Sequence, residues 1–127
     1  MIEAYFESVE KTIQDFPDVR SYTFSKKVYN AKQGFIRGVI LFEDDTRLEF
    51  VEVKDTDVTD KIKYRYQYMN QSHAMIFRYD NAPHHAHLPT FPHHKHVDEK
   101  QVRESHEPTL GDVLLEIAQR RRLQEQE

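Results

Sequence analysis

Five extended segments follow one another along the chain, and only short polar links separate them. They are rich in β-branched and aromatic residues and cover residues 21–29, 34–43, 46–54, 61–69 and 74–79. Links this short cannot hold the crossover that a parallel pair of strands needs, so consecutive segments must pair as antiparallel neighbours. The sequence therefore predicts a five-stranded antiparallel meander.

Two helices are predicted to flank this sheet. Over residues 2–16 apolar side chains recur at spacings of three and four, which is one face of a helix, and Pro17 ends it. Residues 109–124 form the second helix, with Thr109 as N-cap and Asp112 three residues later. Its apolar positions are Val113, Leu114, Ile117 and Leu123. The predicted class is α+β: an N-terminal helix, the sheet, a loop and a C-terminal helix.

The fourth segment shows the clearest alternation of side chains. Ile62, Tyr64, Tyr66 and Tyr68 alternate with Lys61, Lys63, Arg65 and Gln67. One face of this strand is therefore aromatic and the other basic. We expect the aromatic face to pack inward, with base stacking by the tyrosines as the alternative.

The composition limits the class of protein. With 127 residues, 38% hydrophobic content and 31% charged content, the chain fits one domain, residues 1–127. No apolar run is long enough to span a bilayer, so we expect a cytoplasmic protein without a membrane partner. The absence of cysteine excludes disulfides and thiolate metal ligands. The net charge of −4 does not favour general polyanion binding, but clustered histidines can make a local patch positive.

Residues 80–97 depart from the pattern of the strands. They hold three of the five prolines and six of the eight histidines, and they lack a helical or strand period. The sequence predicts a long loop here, and loops of this length are often functional. Neighbours in an extended chain point to opposite sides, so His85 is expected to share a face with His87, and His94 with His96.

These four histidines permit three interpretations. As catalysts they would act as general acid and base, with Asp80 fixing a tautomer and Arg65, Arg78 and Lys95 stabilising charge on a phosphate. As ligands His85, His87, His94 and His96 would bind zinc or nickel, with Asp80 as an oxygen donor. As structural residues they would cap the end of the sheet, hydrogen-bonded or solvated.

One other catalytic pattern is present. Glu52-Val53-Lys54, preceded by Asp44-Asp45, has the form of a magnesium-dependent nuclease motif. In so charged a chain an exposed E-x-K is expected by chance, and we favour that explanation. The few glycines form no phosphate-binding loop, so a nucleotide cofactor is not expected.

Several short elements resemble the TumE-type family of small toxin–antitoxin proteins. The elements are Tyr64-Arg65-Tyr66, Tyr79-Asp80-Asn81, His84-His85 and His93-His94-Lys95-His96, within residues 61–117. The resemblance implies a toxin component that cleaves RNA without a cofactor and pairs with a cognate antitoxin protein. The catalytic set predicted for that activity is His85, His87, His94, His96 and Asp80. The predicted substrate-binding set is Arg65, Arg78, Lys95, Tyr66 and Tyr79.

Two alternatives stay open. The histidine-rich loop could serve a non-catalytic module that binds zinc, nickel or a protein partner. An exposed edge strand over residues 21–29 could also pair across a two-fold axis and make a homodimer.

Overall fold

The computed structural model describes residues 1–125 and is built on a seven-stranded antiparallel sheet in which each strand pairs with the next along the chain. The strands are β1 (Val19–Val28), β2 (Gln33–Phe42), β3 (Arg47–Asp55), β4 (Lys63–Met69), β5 (Met75–Asp80), β6 (His94–His96) and β7 (Val102–Glu104). The helices are α1 (Ile2–Gln14) and α2 (Leu110–Glu125). The predicted α+β class and antiparallel sheet are confirmed, but the predicted count of five strands is wrong.

The two additional strands lie in segments without an apolar period. β6 consists of His94-Lys95-His96 and pairs with β5, where His94 lies opposite Asp80 and His96 opposite Arg78. β7 is equally short and pairs with β6. Hydrophobic alternation cannot reveal a polar strand of three residues, because its backbone partners alone define it. The predicted loop over residues 80–97 therefore shortens to residues 81–93.

Both helices pack on one face of the sheet, which we call the helix face. The largest fully buried side chains meet there and include Phe6, Phe42, Phe50, Tyr64, Tyr66 and Phe77. At the start of α2, Thr109 Oγ1 accepts a hydrogen bond from the Asp112 N–H, and Asp112 Oδ2 accepts one from the Thr109 N–H, each 3.0 Å long. This reciprocal cap is the predicted one. Leu123, predicted as apolar contact, is 64% exposed.

The alternation of β4 is confirmed within the strand and fails before it. Tyr64, Tyr66 and Tyr68 are buried on the helix face. Lys61, expected on the opposite face, is buried and donates a 2.8 Å hydrogen bond to the Pro108 carbonyl, whereas Ile62 is 56% exposed. β4 begins only at Lys63, so the turn before it does not follow the period of two.

The other side of the sheet, which we call the open face, carries a row of direct cross-strand neighbours. From β2 to β6 these are Arg37, Val51, Arg65, Asp80 and His94. The register thus places basic and histidine side chains in one line. β1 forms one edge of the sheet, so pairing of two copies through it stays a prediction. No helix within residues 1–125 is both long and apolar enough to span a membrane.

Candidate active site

Three histidines converge on the open face. His94 and His96 point to the same side of β6, as their spacing predicts, and His85 reaches them from the loop that joins β5 to β6. The ring centroids lie 4.6 Å apart for His85 and His94, 4.9 Å for His94 and His96, and 5.7 Å for His85 and His96. One nitrogen from each ring lies within 4.8 Å of the other two. We call these three residues the histidine cluster.

Asp80, at the end of β5, lies beneath this cluster and is almost fully buried. Its Oδ1 accepts a 2.9 Å hydrogen bond from the Ala82 N–H and lies 2.9 Å from His94 Nε2. Its Oδ2 accepts a 3.0 Å hydrogen bond from Arg78 Nε and lies 3.6 Å from His96 Nε2. One carboxylate therefore starts the loop and orients the cluster.

His94 is held from both sides and is only 1% exposed. Its Nδ1 lies 3.0 Å from the Pro92 carbonyl oxygen, and its Nε2 faces Asp80. These two contacts, on opposite sides of the ring, fix its orientation. His94 is thus held in one orientation beside the other two rings.

His96 and His85 are shifted towards the neutral form. Burial lowers the pKa of His96, and the Arg78 guanidinium lowers it further. Arg78 Nη2 lies 3.2 Å from His96 Nε2, and a guanidinium can only donate, so this nitrogen accepts. Partial burial and the neighbouring His94 likewise lower the pKa of His85. Two imidazoles that are shifted towards the neutral form, in which they can act as bases, therefore lie beside His94.

A protein-family model described as Toxin TumE matches residues 9–121. The chain belongs to this toxin family. The match includes every residue of the histidine cluster and extends well beyond the elements that carried the resemblance in sequence. No curated protein and no solved structure matches the chain.

The other loop histidines of this TumE-family protein lie outside the cluster. His87 is exposed, and its ring centroid is 6.1 Å from that of His85. His84 is exposed at the rim of a neighbouring cleft. His93 stacks on Tyr64, whose hydroxyl lies 2.9 Å from His93 Nδ1. Of the four histidines predicted to act together, the structure brings together three and leaves His87 at the margin.

The predicted substrate-binding residues divide between the two faces of the sheet. Arg65 and Arg78 lie on the open face, beside the cluster. Tyr66 is 0% exposed on the helix face, where its hydroxyl donates a 2.6 Å hydrogen bond to Glu52. Tyr79 and Lys95 also point to the helix face, since both bind Glu116 of α2. These three side chains cannot contact a substrate held by the cluster.

The E-x-K pattern is occupied by structural contacts. Buried Glu52 accepts hydrogen bonds from the hydroxyls of Tyr5 and Tyr66. Lys54 donates to the carbonyls of Val58 and Thr59 at 2.6 and 2.8 Å. Asp44 binds Thr46 in the turn between β2 and β3. The expectation of an exposed E-x-K is wrong, because Glu52 and Lys54 are both buried, and their contacts are structural.

Sequence reasoning missed Arg37 and Lys63 as functional candidates. Both are exposed on the open face and line the same cleft as Arg65 and Arg78. The alternation of β2 separates Arg37 from the buried Ile36 and carries part of this signal. The alignment of Arg37 with Arg65 follows only from the pairing register of β2, β3 and β4. The sequence of one strand alone does not reveal it.

Proposed function

We propose that this TumE-family toxin is a metal-independent endoribonuclease in which His85 and His96 act as base and acid. The observation that carries the proposal is the convergence of the histidine cluster over Asp80, with Arg65 and Arg78 beside it. RNA cleavage through the 2′-hydroxyl needs a neutral base, a protonated acid and cations at the phosphate. The open face places two imidazoles that can exchange a proton, and two arginines, within one site.

His85 is suited to be the base. Its pKa is lowered, and within residues 1–125 its ring makes no hydrogen bond. In the proposed reaction His85 takes the proton of a 2′-hydroxyl, and O2′ attacks the adjacent phosphorus. The bond from phosphorus to O5′ breaks as protonated His96 gives its proton to O5′. The products are a 2′,3′-cyclic phosphate and a 5′-hydroxyl.

The remaining residues support this proton transfer. Arg65 and Arg78 donate to the phosphate oxygens as negative charge develops. His94 is too buried to contact RNA, so we assign it with Asp80 as a positioning pair. When His96 is protonated, the Asp80 carboxylate, with Oδ2 at 3.6 Å, stabilises the positive charge on its ring. The Arg78 guanidinium destabilises that charge.

A cognate antitoxin protein is part of the proposal. Its support is membership of a toxin family, because such toxins need a partner that restrains them. Covering the open face would block the histidine cluster.

The test is cleavage of 5′-labelled RNA by the purified protein in excess EDTA. We expect a 2′,3′-cyclic phosphate product, and a rate at least about 100-fold lower for His85→Gln and for His96→Gln. His106→Gln is the matched control, since His106 is exposed outside the cluster. Absence of cleavage by the wild-type protein, or equal rates in all three variants, would refute the proposal.

A metal site is the second candidate, and the spacing of the three ring nitrogens favours it. Three imidazoles plus water suit zinc, and the contact from His94 Nδ1 to a backbone carbonyl is one that metal-bound histidines often make. Elemental analysis separates the candidates. Stoichiometric zinc or nickel that His94→Gln abolishes, together with cleavage lost in EDTA and restored by that metal, supports the metal site.

A further inference from the structure

A cleft on the open face extends towards β2 from Arg78 and Asp80, which contact the histidine cluster. It has a volume of about 450 Å³, and its lining includes Phe35, Arg37, Lys63, Arg65, Arg78 and Asp80. A second hollow of about 350 Å³ shares Arg37, Val51 and Arg65 with it and extends to β1. The two hollows form a continuous depression across the strands.

The depression is strongly cationic. Arg37, Lys63 and Arg65 are exposed, and within residues 1–125 none of them forms an ion pair. The carboxylates nearby are already engaged: Asp80 binds Arg78, and Glu49 lies 3.2 Å from Arg47. The available positive charge is therefore suited to an anionic ligand.

The extent of this charge indicates a ligand with several phosphates. Arg37 lies on β2 and Arg78 on β5, three strand spacings or about 14 Å apart. A single phosphate cannot contact both. The cleft also has an aromatic wall, because Phe35 is half-buried and the Arg37 guanidinium lies 5.6 Å from its ring centre. Alternating cations and an aromatic ring are typical of surfaces that bind single strands.

We propose that the cleft binds single-stranded RNA that runs across the strands from β2 to β6. Arg37, Lys63 and Arg65 hold successive phosphates, and an unpaired base stacks on Phe35. The strand then delivers its scissile phosphate to the histidine cluster, so this inference rests on the proposed function. A duplex is excluded because its paired bases hide the faces that Phe35 needs.

Binding is tested with a fluorescent single-stranded 2′-O-methyl RNA, which lacks the attacking hydroxyl and so cannot be cleaved in the proposed reaction. In fluorescence anisotropy we expect wild-type protein to prefer it over a duplex, and Arg37→Gln to weaken binding about tenfold. Loss of one phosphate contact should also reduce the slope of log Kd against log salt by about 0.7. Phe35→Ala should weaken binding about tenfold with the slope unchanged.

Arg122→Gln is the matched control, because Arg122 is exposed on α2, away from the cleft. Circular dichroism checks that each variant is folded. If Phe35→Ala is unfolded, the inference is still tested by two charge variants, Arg37→Gln and the exposed Lys63→Gln. Equal affinity of Arg37→Gln, Lys63→Gln and Arg122→Gln, or equal binding of duplex and single strand, would overturn the inference. Either result leaves the cleavage test unaffected, since that test depends on the histidines alone.

Discussion

The carboxylate of Asp80 has two structural roles. Its contact with the Ala82 N–H is an ordinary turn contact for an aspartate that follows a strand. Its contacts with His94 and Arg78 hold the cluster in its orientation. A buried carboxylate with several charged partners is costly to change, because each variant leaves donors without an acceptor. The chemistry of the site and the start of the loop therefore depend on the same residue.

We predict that His96 titrates below the ordinary histidine pKa of 6.5 in the folded protein. The groups that face it are Arg78 and Asp80 from β5, His94 from β6 and His85 from the loop. Burial and Arg78 lower its pKa, whereas Asp80 raises it. Asp80→Asn should therefore lower the His96 pKa further. NMR titration of the His96 ring proton in both proteins checks this.

The lowered pKa of His96 also makes the free energy of unfolding depend on pH. Below pH 6.5 the unfolded chain binds a proton at this position more readily than the folded chain, so the His96 contribution to the free energy of unfolding falls on acidification. The proposed cleavage needs one neutral and one protonated ring, so its optimum should also lie below pH 6.5. A His96 midpoint at or above 6.5 in the wild-type protein contradicts the prediction.

At the scale of elements, β6 divides its three side chains between the faces of the sheet. His94 and His96 join the cluster, while Lys95 between them binds Glu116 of α2 at 2.7 Å. Burial acts to raise the Glu116 pKa, but hydrogen bonds from Lys95 and Tyr79 outweigh it and hold that pKa below its usual range. These contacts tie α2 to the strand that carries the histidines.

The space around two glycines differs, and it predicts opposite effects of substitution by alanine. Gly34 lies where α1 packs closely on β2, and Gly111 lies in α2. At Gly34 a Cβ would lie 2.8 Å from both the Lys27 carbonyl oxygen and the Phe6 ring, and the backbone atom cannot move away. Gly34→Ala should lower the free energy of unfolding by about 2 kcal/mol. In α2, a Cβ at Gly111 meets nothing closer than 3.6 Å, so Gly111→Ala should raise stability by up to about 1 kcal/mol. Urea denaturation measures both, and equal effects would contradict the packing argument.

At the scale of the whole molecule, both helices occupy one face and leave the other open for the site. The C-terminal part of α2 is fixed to the sheet by Arg121, which lies 3.2 Å from Asp18 and from Asp44. The side chain of Arg121 is only 14% exposed, whereas its neighbour Arg122 is exposed. The contact with Asp18 is not an aligned hydrogen bond, so its contribution is modest.

The adjacent residues Arg121 and Arg122 provide a matched test of this contact between α2 and the sheet. Arg121→Ala removes a side chain that bridges two carboxylates, and we expect a loss of about 1 kcal/mol and a fall of about 4 °C in Tm. Arg122→Ala changes an exposed residue and should leave Tm within about 1 °C. Thermal denaturation followed by circular dichroism compares them. Equal Tm values would show that the Arg121 contacts do not stabilise the fold.

The sequence by itself determined the elements whose side chains repeat: the helical face of α1, the cap of α2, the tyrosine face of β4 and the shared face of His94 and His96. Such periodicities are local, because each follows from backbone geometry within one segment. Only the tertiary structure decided that His85 joins this pair while His87 does not, and that Lys95, Tyr66 and Tyr79 face the helices. It also aligned Arg37 with Arg65 and His94. These placements depend on strand register and on the path of the loop over residues 81–93, which non-local backbone pairing sets and no local pattern encodes.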